Sequence, residues 1–484
     1  MSRTTHAVVI GGSVAGLCAA RVLSKAFDRV TVLDRDVYPD EAQHRKGVPQ
    51  SRHPHVLLDG GRQRLEELFP GFVAKMLEGG ALELDPGLDM AVLRADGWAP
   101  RQATPNTLLF SSRVLIESVI RELCALHENV AFVERAEVTG LVSKNEPIRV
   151  CGVRVREIGA EGHELEADLV VDASGRETHA PEWFAELGLP APERTVVNAD
   201  SGYSTRWYQG PAAETRPSDY WWKCLWIEPI VEGDARPEDR YFGVLFPIEG
   251  DRWIVTTASW GGRELPRDPD GFERIISKLR SPVLADAIAH AEPISPVYTR
   301  RGMQNTWRHY ERWSAELPGF IAIGDSTCGF NPVYGQGMTS AACCAEVLQG
   351  CLRDSDPTSA GFAQNFFRAQ AKFLSTPWMM ATSRDLEQAE VVDRDAAAEP
   401  SRLEKFIRRA ATFYLGQIAL AGARDTAISQ RLFEVINLRI HPKALLADPR
   451  ILVRVAWARF RQRLTPAVRS REKTPDYPPA PEPG

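Results

Sequence analysis

The stretch that decides the fold is Ala7-Val8-Val9-Ile10-Gly11-Gly12-Ser13-Val14-Ala15-Gly16-Leu17. Its four apolar residues predict a short buried strand, and a glycine-rich turn leads into residues 17–23, which have helical spacing. Gly11 allows the tight turn, Gly16 lets the helix lie close to the strand, and Ser13 stands where a second glycine is usual. Strand, turn and helix in this order are the fingerprint of a dinucleotide-binding fold. The free N–H groups of that helix N-terminus are therefore expected to bind a pyrophosphate.

A second strand strengthens this interpretation. Residues 29–33 are mostly apolar and end at Asp34. An acidic residue about 20 residues after the glycine turn binds a ribose hydroxyl in such folds. Because all these features occur in order, a glycine-rich turn that binds no nucleotide is the less favoured alternative.

Composition excludes several classes of protein. The 484 residues are 44% hydrophobic and 25% charged, which is typical of a globular chain with more than one substructure. The net charge of −6 argues against general nucleic-acid binding. The eight cysteines form no CxxC pair and no zinc-like spacing, so no metal site is expected. We also predict no signal peptide, no transmembrane segment and a cytoplasmic location.

The order of patterns along the chain predicts an α/β protein. A Rossmann-like nucleotide-binding domain is interrupted by a β-sheet substrate domain and followed by helices. The expected boundaries are 1–78, 111–189 and 297–390 for the nucleotide-binding domain, 79–110 and 190–296 for the substrate domain, 391–470 for the C-terminal helices and 471–484 for a disordered tail.

Strands are predicted wherever apolar and polar residues alternate. Residues 130–133, 136–142 and 150–156 predict a meander inserted into the nucleotide-binding domain. Residues 241–248 and 252–257 predict a hairpin around a glycine turn. The aromatic residues of the second domain are either core or the lining of a pocket for a large apolar substrate.

Helices are predicted from caps and periodicity. A serine-capped amphipathic helix is expected at 114–123, and Arg113 at its start opposes the helix dipole, which makes it a site candidate. Further helices are expected at 63–68, 339–352, 360–373, 402–420, 426–436 and 449–464. The basic face of the last helix, with Arg459 and Arg463, is either solvated or a docking face for an acidic carrier protein.

Three elements together resemble a known group. The Gly11–Gly16 turn, the strand that ends at Asp325 and the loop from Pro332 to Gly337 resemble the FAD-binding aromatic-hydroxylase-type flavoprotein monooxygenases over most of residues 5–390. Within that group, Arg45-Lys46-Gly47-Val48-Pro49-Gln50 with its following histidines and the 331–338 loop are similar to flavin epoxidases of polyether polyketide biosynthesis. Hydroxylases of other natural products share these motifs.

The resemblance implies roles for particular residues. Arg113 matches the arginine that reaches the ribityl or pyrophosphate region, and the helix after Met338 would stabilise negative charge on the reduced flavin. FAD is expected to contact Gly11, Ser13, Ala15, Gly16, Asp34, Arg35, Arg45, Lys46, Arg113, Val138, Asp325, Pro332, Gly335, Gly337 and Met338. The substrate pocket is expected to include Val48, Gln50, His55 and Asn331.

The same resemblance implies an activity. Such enzymes insert one oxygen atom of O2 into an apolar natural product through a flavin C4a-hydroperoxide, and epoxidation of an alkene in a polyketide or polyene is the preferred reaction here. Aromatic or aliphatic hydroxylation, reduction of isoprenoid double bonds and FAD binding without catalysis remain open. A flavin halogenase is disfavoured because residues 222–229 lack the spacing of WxWxIP, although Lys75 offers a lysine. His53 and His55 are either proton-transfer groups or structural histidines.

One residue differs from the family pattern, and this difference leaves open how FAD is reduced. Aromatic hydroxylases carry an aspartate in a turn linked to FAD and NAD(P)H, whereas this chain has Ser174 within Asp172-Ala173-Ser174-Gly175-Arg176. NADPH or NADH would therefore reduce FAD either directly or through a separate flavin reductase. The substrate itself is either free or bound to a carrier protein.

Overall fold

A computed structural model describes residues 4–484 apart from 95–96, 145–147, 158–160, 213, 218–219, 231–236, 389–417, 419–420, 423–424, 465–474 and 480–484. The strands are β1 (His6–Ile10), β2 (Arg29–Leu33), β3 (Leu82–Leu84), β4 (Met90–Arg94), β5 (Gly97–Trp98), β6 (Leu108–Phe110), β7 (Val130–Val133), β8 (Ala136–Lys144), β9 (Arg149–Glu157), β10 (His163–Glu166), β11 (Leu169–Asp172), β12 (Arg194–Gln209), β13 (Cys224–Ile227), β14 (Phe242–Ile248), β15 (Arg252–Ser259), β16 (Glu292–Pro293), β17 (Tyr298–Arg308), β18 (Phe320–Ala322) and β19 (Cys328–Gly329).

The helices are α1 (Val14–Leu23), α2 (Asp59–Leu68), α3 (Phe72–Glu78), α4 (Arg113–Ala125), α5 (Ala180–Glu186), α6 (Pro269–Ile276), α7 (Val283–Ala289), α8 (Gly337–Asp354), α9 (Phe362–Gln388), α10 (Thr426–Ile436), α11 (Lys443–Ala447) and α12 (Pro449–Leu464). Short 3-10 helices lie at Pro49–Arg52, Pro237–Arg240, Tyr310–Arg312, Gly324–Ser326 and Pro332–Tyr334. Among the described residues, no helix is long and apolar enough to cross a membrane.

The predicted glycine turn lies on a parallel sheet of order β18-β11-β1-β2-β7. Ile10 at the end of β1 is level with Leu33 of β2 and with Asp172 of β11. The carboxyl ends of these strands therefore meet at one edge, where open α/β sheets bind their ligands. The α/β fold class predicted from the sequence is confirmed.

The predicted meander is only partly right. Residues 130–133 form β7, the parallel edge strand beside β2, and not a meander strand. The meander consists of β8, β9 and β10, which pair antiparallel. A half-exposed edge strand of a parallel sheet alternates like a meander strand, so its pattern does not reveal its partner.

A large sheet builds the second domain, in the order β19-β17-β12-β15-β14-β13-β4-β5. The predicted hairpin is present as β14 and β15. β4 and β5 come from the 79–110 segment, whereas β17 lies beyond the boundary expected at 296 and pairs with β12 along most of its length. Helices α6 and α7 cover one face of this sheet, and its aromatic other face points toward the first domain.

The C-terminal helices differ from expectation in one respect. The helix predicted at 360–373 is α9, which continues through Pro377 to Gln388. A proline is tolerated inside a helix where packing compensates for the lost hydrogen bond, and the sequence pattern does not show that packing. The helices predicted at 426–436 and 449–464 are present as α10 and α12, and the helix predicted at 402–420 lies almost wholly outside the described residues.

The tail was predicted to be disordered from residue 471. Residues 475–479 are nevertheless held against the second domain. The Trp98 indole N–H donates to the Pro475 carbonyl at 2.9 Å, and the Ser281 hydroxyl donates to the Asp476 carbonyl. A proline-rich composition indicates a chain without its own core, and does not exclude docking on another surface.

Candidate functional site

The glycine turn permits close backbone contacts. Gly11 has φ +98°, and a Cβ there would lie 2.6 Å from the Ala173 carbonyl oxygen. A Cβ on Gly16 would lie 1.8 Å from the Gly11 carbonyl oxygen. Both positions therefore require glycine, and α1 begins directly above the end of β1. Ser13 is the N-cap residue of α1, but its side chain makes no capping hydrogen bond.

The Asp34 carboxylate is fixed at the end of β2. It accepts hydrogen bonds from the Gly12 N–H at 2.9 Å, the Asp36 N–H at 2.9 Å and the Arg45 guanidinium at 3.0 Å. It thus faces the glycine turn from the position that a ribose-binding acid occupies. The neighbouring candidate Arg35 is exposed, as is Lys46.

A buried charge cluster, made of Ser13, Arg45, Arg113 and Glu117, lies over the turn. Arg113 donates to the Ser13 hydroxyl at 2.8 Å and pairs with Glu117 at 2.9 Å. Arg45 pairs with the other Glu117 oxygen at 2.7 Å, and Ser13 donates to Glu117 at 2.8 Å. Burial opposes ionisation, but Arg113 and Arg45 hold the pKa of Glu117 below its usual value. Sequence reasoning missed Glu117, although its position four residues after Arg113 on one helix was a usable signal.

One atom of the cluster lacks a partner. Nη1 of Arg113 is buried and makes no hydrogen bond within the described structure. A buried guanidinium N–H without an acceptor is costly, and an anion at the helix N-terminus would satisfy it. The charge cluster therefore fits a diphosphate group bound at the glycine turn.

A second helix N-terminus, that of α8, follows the loop predicted to lie along the flavin ring. The 3-10 helix Pro332–Tyr334 leads to Gly335, which has φ +65°, and α8 begins at Gly337. Buried polar atoms of Gln336, Thr339 and Ser340 have no hydrogen-bond partner within the described structure. Gln336 lies directly before α8, whereas the Thr339 hydroxyl faces Gly61 on α2. This arrangement fits a polar, partly anionic ring edge placed before α8.

The other candidates of this loop differ in exposure. Met338 is buried in the core at 8% exposure. Asp325 is partly exposed and accepts a hydrogen bond from Arg176 at 3.1 Å. A Cβ on Gly335 would lie 3.3 Å from Cβ of Val56, so the loop lies against the segment that follows the histidines.

The backbone near Val138 adjoins the acid. Val138 is buried in β8, and the Ala136 N–H at the start of that strand donates to the Asp34 carbonyl at 2.9 Å. The start of β8 therefore lies beside the place where an adenosine bound to Asp34 would sit. Ala15 lies in the first turn of α1, and a Cβ on Gly324 would lie 2.6 Å from its side chain.

His53 and His55 are neutral at pH 7. The His53 ring lies 4.4 Å from the Tyr203 ring, and its Nδ1 lies 2.9 Å from the Thr205 hydroxyl. Burial lowers the pKa of His53 to about 3. Burial, with Arg113 nearby, lowers the pKa of His55 to about 4, and its Nδ1 lies 2.9 Å from the His53 carbonyl oxygen. These contacts favour the structural interpretation of His53.

The lowered pKa values predict acid sensitivity. A histidine whose folded pKa lies below 6.5 loses stabilisation as the pH falls from 6.5 toward that value, because only the unfolded chain takes up the proton. We expect His53 to contribute roughly 1–2 kcal/mol to the loss of unfolding free energy between pH 7 and pH 5. Urea unfolding at both pH values should show a smaller loss for His53→Gln than for the wild type. Equal losses would contradict the buried neutral histidine.

Three of the four predicted pocket residues lie in different surroundings. Val48 is buried beside the charge cluster and lines a narrow cleft with Arg45 and Glu117. Gln50 is exposed. Asn331 is fully buried and bound within the protein, donating to Ser201 at 2.9 Å, so it is not available to a substrate.

An aromatic cluster faces the first domain, but three of its four rings are buried, with Phe110, Phe242 and Phe246 at 3%, 7% and 4% exposure. The aromatic face, defined here as Phe110, Trp226, Phe242 and Phe246, lies on the second-domain sheet and its flank, with ring-centroid distances of 5.1 Å for Phe110–Phe246 and 4.8 Å for Trp226–Phe242. Partly buried residues from the first domain and from α10 pack against it, namely Val56, Val333 and Phe433. The sequence predicted an aromatic second domain but not the contribution of α10.

Ser174, which replaces the aspartate of the aromatic hydroxylases, is held by Asp172 of the same turn. The Ser174 hydroxyl donates to Oδ1 of Asp172 at 2.6 Å, and the Ser174 N–H donates to the same oxygen at 2.9 Å. Arg176 in the same turn donates to the Gln304 carbonyl at 2.8 Å. Both side chains are thus engaged within the protein and tie the turn to β11 and β17.

Comparison with solved structures defines the class of fold. The chain shares its fold with flavin-dependent brominase Bmp2, with a TM-score of 0.63 and 15% identity over 95% of this chain and 100% of that one. It shares it also with p-nitrophenol 4-monooxygenase PnpA from Pseudomonas putida DLL-E4, at 0.58 and 14% over 90% and 99%. The myxobacterial chondrochloren halogenase CndH gives 0.58 and 15% over 90% and 98%. The fold is therefore that of FAD-dependent monooxygenases and halogenases.

A sequence relative gives the family. Protein Rv3254 of Mycobacterium tuberculosis (strain ATCC 25618 / H37Rv) is 32% identical over 393 residues, which are 79% of this chain and 80% of the relative. The chain belongs to the family of Protein Rv3254. No protein-family model matches the sequence.

Proposed function

We propose that this protein binds FAD and is an FAD-dependent monooxygenase that inserts one oxygen atom into a large apolar substrate. The observation that carries the proposal is the buried Nη1 of Arg113, which has no hydrogen-bond partner within the described structure. It lies beside a turn where Gly11 and Gly16 leave no room for a side chain. The fold shared with flavin-dependent enzymes supports the same cofactor.

Residues around the glycine turn would bind the ADP half of FAD, and the 332–338 loop would bind the flavin ring. Gly11, Gly16 and Asp34 would hold the ADP half, with Arg45 and Arg113 at the diphosphate. Asp325 would bind a ribityl hydroxyl, and residues 332–338 would lie along the ring. FAD, once bound, supplies the redox and oxygen-activating chemistry. The chain orients it and offers the α8 N-terminus to negative charge on the ring.

The aromatic face supports an apolar substrate. The partly buried Trp226, Val56 and Val333 offer apolar contact, with the buried phenylalanines packed behind them. His53 and His55 are weak bases, because burial lowers their pKa values to about 3 and about 4. Epoxidation needs no obligatory general base, so this environment favours an alkene of a polyketide or polyene over a substrate that must be deprotonated.

Halogenation is the weaker alternative. The fold also occurs in halogenases. The Lys75 ammonium, however, is paired with Glu122 on α4, and both side chains are partly or largely exposed. A lysine held at the surface is poorly placed to act on an enclosed substrate. Ser174 stands where the aromatic hydroxylases have an aspartate linked to NAD(P)H, and this replacement supports a separate flavin reductase as electron donor.

The test measures FAD binding first and the incorporation of oxygen into a substrate probe second. Purified protein should bind one FAD and be reduced under anaerobic conditions by NADPH with an added flavin reductase. Methyl linolenate as the alkene probe and 1-naphthol as the ring probe are then supplied with ¹⁸O2 and bromide. One ¹⁸O atom in an epoxide of the linolenate supports the proposal. A hydroxylated naphthol alone favours hydroxylation, a brominated product favours the halogenase, and a saturated double bond without oxygen uptake favours the reductase.

A further inference from the structure

A buried carboxylate lies behind the loop proposed to face the flavin ring. Asp385, near the end of α9, has 0% exposure. Its Oδ2 accepts hydrogen bonds from Nδ2 of Asn305 at 2.6 Å and Nδ2 of Asn331 at 3.1 Å. Its Oδ1 accepts from the Tyr334 hydroxyl at 2.5 Å. We propose that Asp385 is a positioning residue that holds the 331–335 turn against the flavin ring and lowers the reduction potential of the flavin. This inference rests on the proposed FAD binding.

The network ties the turn to three separate elements. The Asn331 backbone N–H donates to Oδ1 of Asn305 on β17 at 2.8 Å. The side-chain Nδ2 of Asn331 donates to the Ser201 hydroxyl on β12 at 2.9 Å. Asp385 on α9 is the acceptor that Asn305, Asn331 and Tyr334 share. Removal of this acceptor takes a partner from the buried Asn305 and Asn331 side chains and from the partly buried Tyr334 hydroxyl, although Nδ2 of Asn331 still contacts Ser201. This loosens the turn that sets the start of α8.

The hydrogen-bond donors around Asp385 indicate the charge of its carboxylate, and that charge sets the direction in which the flavin reduction potential changes. All three are neutral, and both carboxylate oxygens accept hydrogen bonds, so the pattern fits the ionised form. Burial raises the pKa of Asp385, and the hydrogen bonds from Tyr334, Asn331 and Asn305 act in the opposite direction by stabilising the ionised form. A negative charge behind the ring opposes the addition of electrons to it, opposite to the effect of the α8 N-terminus. Loss of the charge should therefore raise the reduction potential.

Two variants and a matched control test this assignment. Asp385→Asn removes the charge at nearly constant shape, and Tyr334→Phe removes one donor and keeps the charge. Thr382→Val is the control, because Thr382 is 1% exposed on the same helix and its hydroxyl bonds only to the Trp378 carbonyl among the contacts described. The midpoint potential of bound FAD and the hydrogen exchange of residues 331–337 in the apoprotein are measured for each.

We expect Asp385→Asn to raise the potential by at least the equivalent of tenfold in the two-electron equilibrium, about 30 mV. Tyr334→Phe should shift the potential less. Both variants should speed the exchange of the 331–337 amides at least tenfold, and Thr382→Val should change neither quantity. An unchanged potential in Asp385→Asn overturns the assignment even if the melting temperature falls, because a mere structural brace would behave in that way. An equal shift in Thr382→Val overturns it as well.

The two proposals can fail separately. If the wild type binds no FAD, the proposed function fails, and faster exchange in Asp385→Asn still shows that the carboxylate holds the turn. If FAD binds normally and neither exchange nor potential responds, the positioning role alone fails. Should Asp385→Asn not fold, Tyr334→Phe must show the faster exchange, and its absence overturns the assignment.

Discussion

Gly16→Ala is expected to abolish FAD binding and to destabilise the fold by about 3 kcal/mol or more. The added Cβ would lie 1.8 Å from the Gly11 carbonyl oxygen and 3.3 Å from Cγ1 of Val9. These atoms belong to the backbone and to the buried strand β1, so they cannot yield without moving α1 away from the sheet. Such a shift displaces the helix N-terminus that we propose for the diphosphate. Urea unfolding and FAD titration by fluorescence measure the two effects separately.

Gly350→Ala is the matched control for that variant. Gly350 is also a helical glycine, on α8, but a Cβ there meets nothing within 4 Å. Alanine is the better helix former, so this variant should gain about 0.5–1 kcal/mol and bind FAD as the wild type does. A Gly16→Ala protein that binds FAD with wild-type affinity would show that the close approach of α1 to the turn is not required.

The parallel sheet was predictable from local patterns. The strand, glycine turn and second strand follow one another within about thirty residues, and their order carries the information. The same holds for α4, whose serine cap is read from adjacent residues and is present as a hydrogen bond from the Leu115 N–H to Ser112. Periodicity and capping depend on neighbours in sequence, and here both were sufficient.

The remaining features depend on distant partners. β7 shows its parallel pairing only against β2, about a hundred residues earlier. Asn331 had the residue type of a substrate contact, but its side-chain amide donates to residues of two remote elements and its backbone N–H to a residue of a third. Glu117 meets Arg45 across 72 residues. No local pattern encodes such contacts, so the buried polar networks of the site could be found only in three dimensions.

Arg113→Met is expected to show that the charge cluster serves both folding and cofactor binding. Arg113 is 4% exposed and pairs with Glu117, whose side chain is 7% exposed. Removal of one partner of a buried pair costs about 3–5 kcal/mol because the other charge stays buried, although Arg45 still contacts Glu117 here. Arg156→Met is the control, because its pair with Glu137 is more than half exposed and should contribute less than about 1 kcal/mol.

Glu117→Gln separates the two roles of the cluster. It should also lower the unfolding free energy, because two buried guanidinium groups lose their shared anion. Its effect on FAD should have the opposite sign from that of Arg113→Met. Loss of Arg113 is expected to weaken FAD binding roughly a hundredfold, since a buried charge-assisted contact to the diphosphate disappears. Loss of the Glu117 charge frees Arg45 and Arg113 for the diphosphate and removes its repulsion, so FAD should bind several-fold more tightly. If both variants weaken FAD binding in proportion to their loss of stability, the cluster supports the fold alone and the diphosphate lies elsewhere.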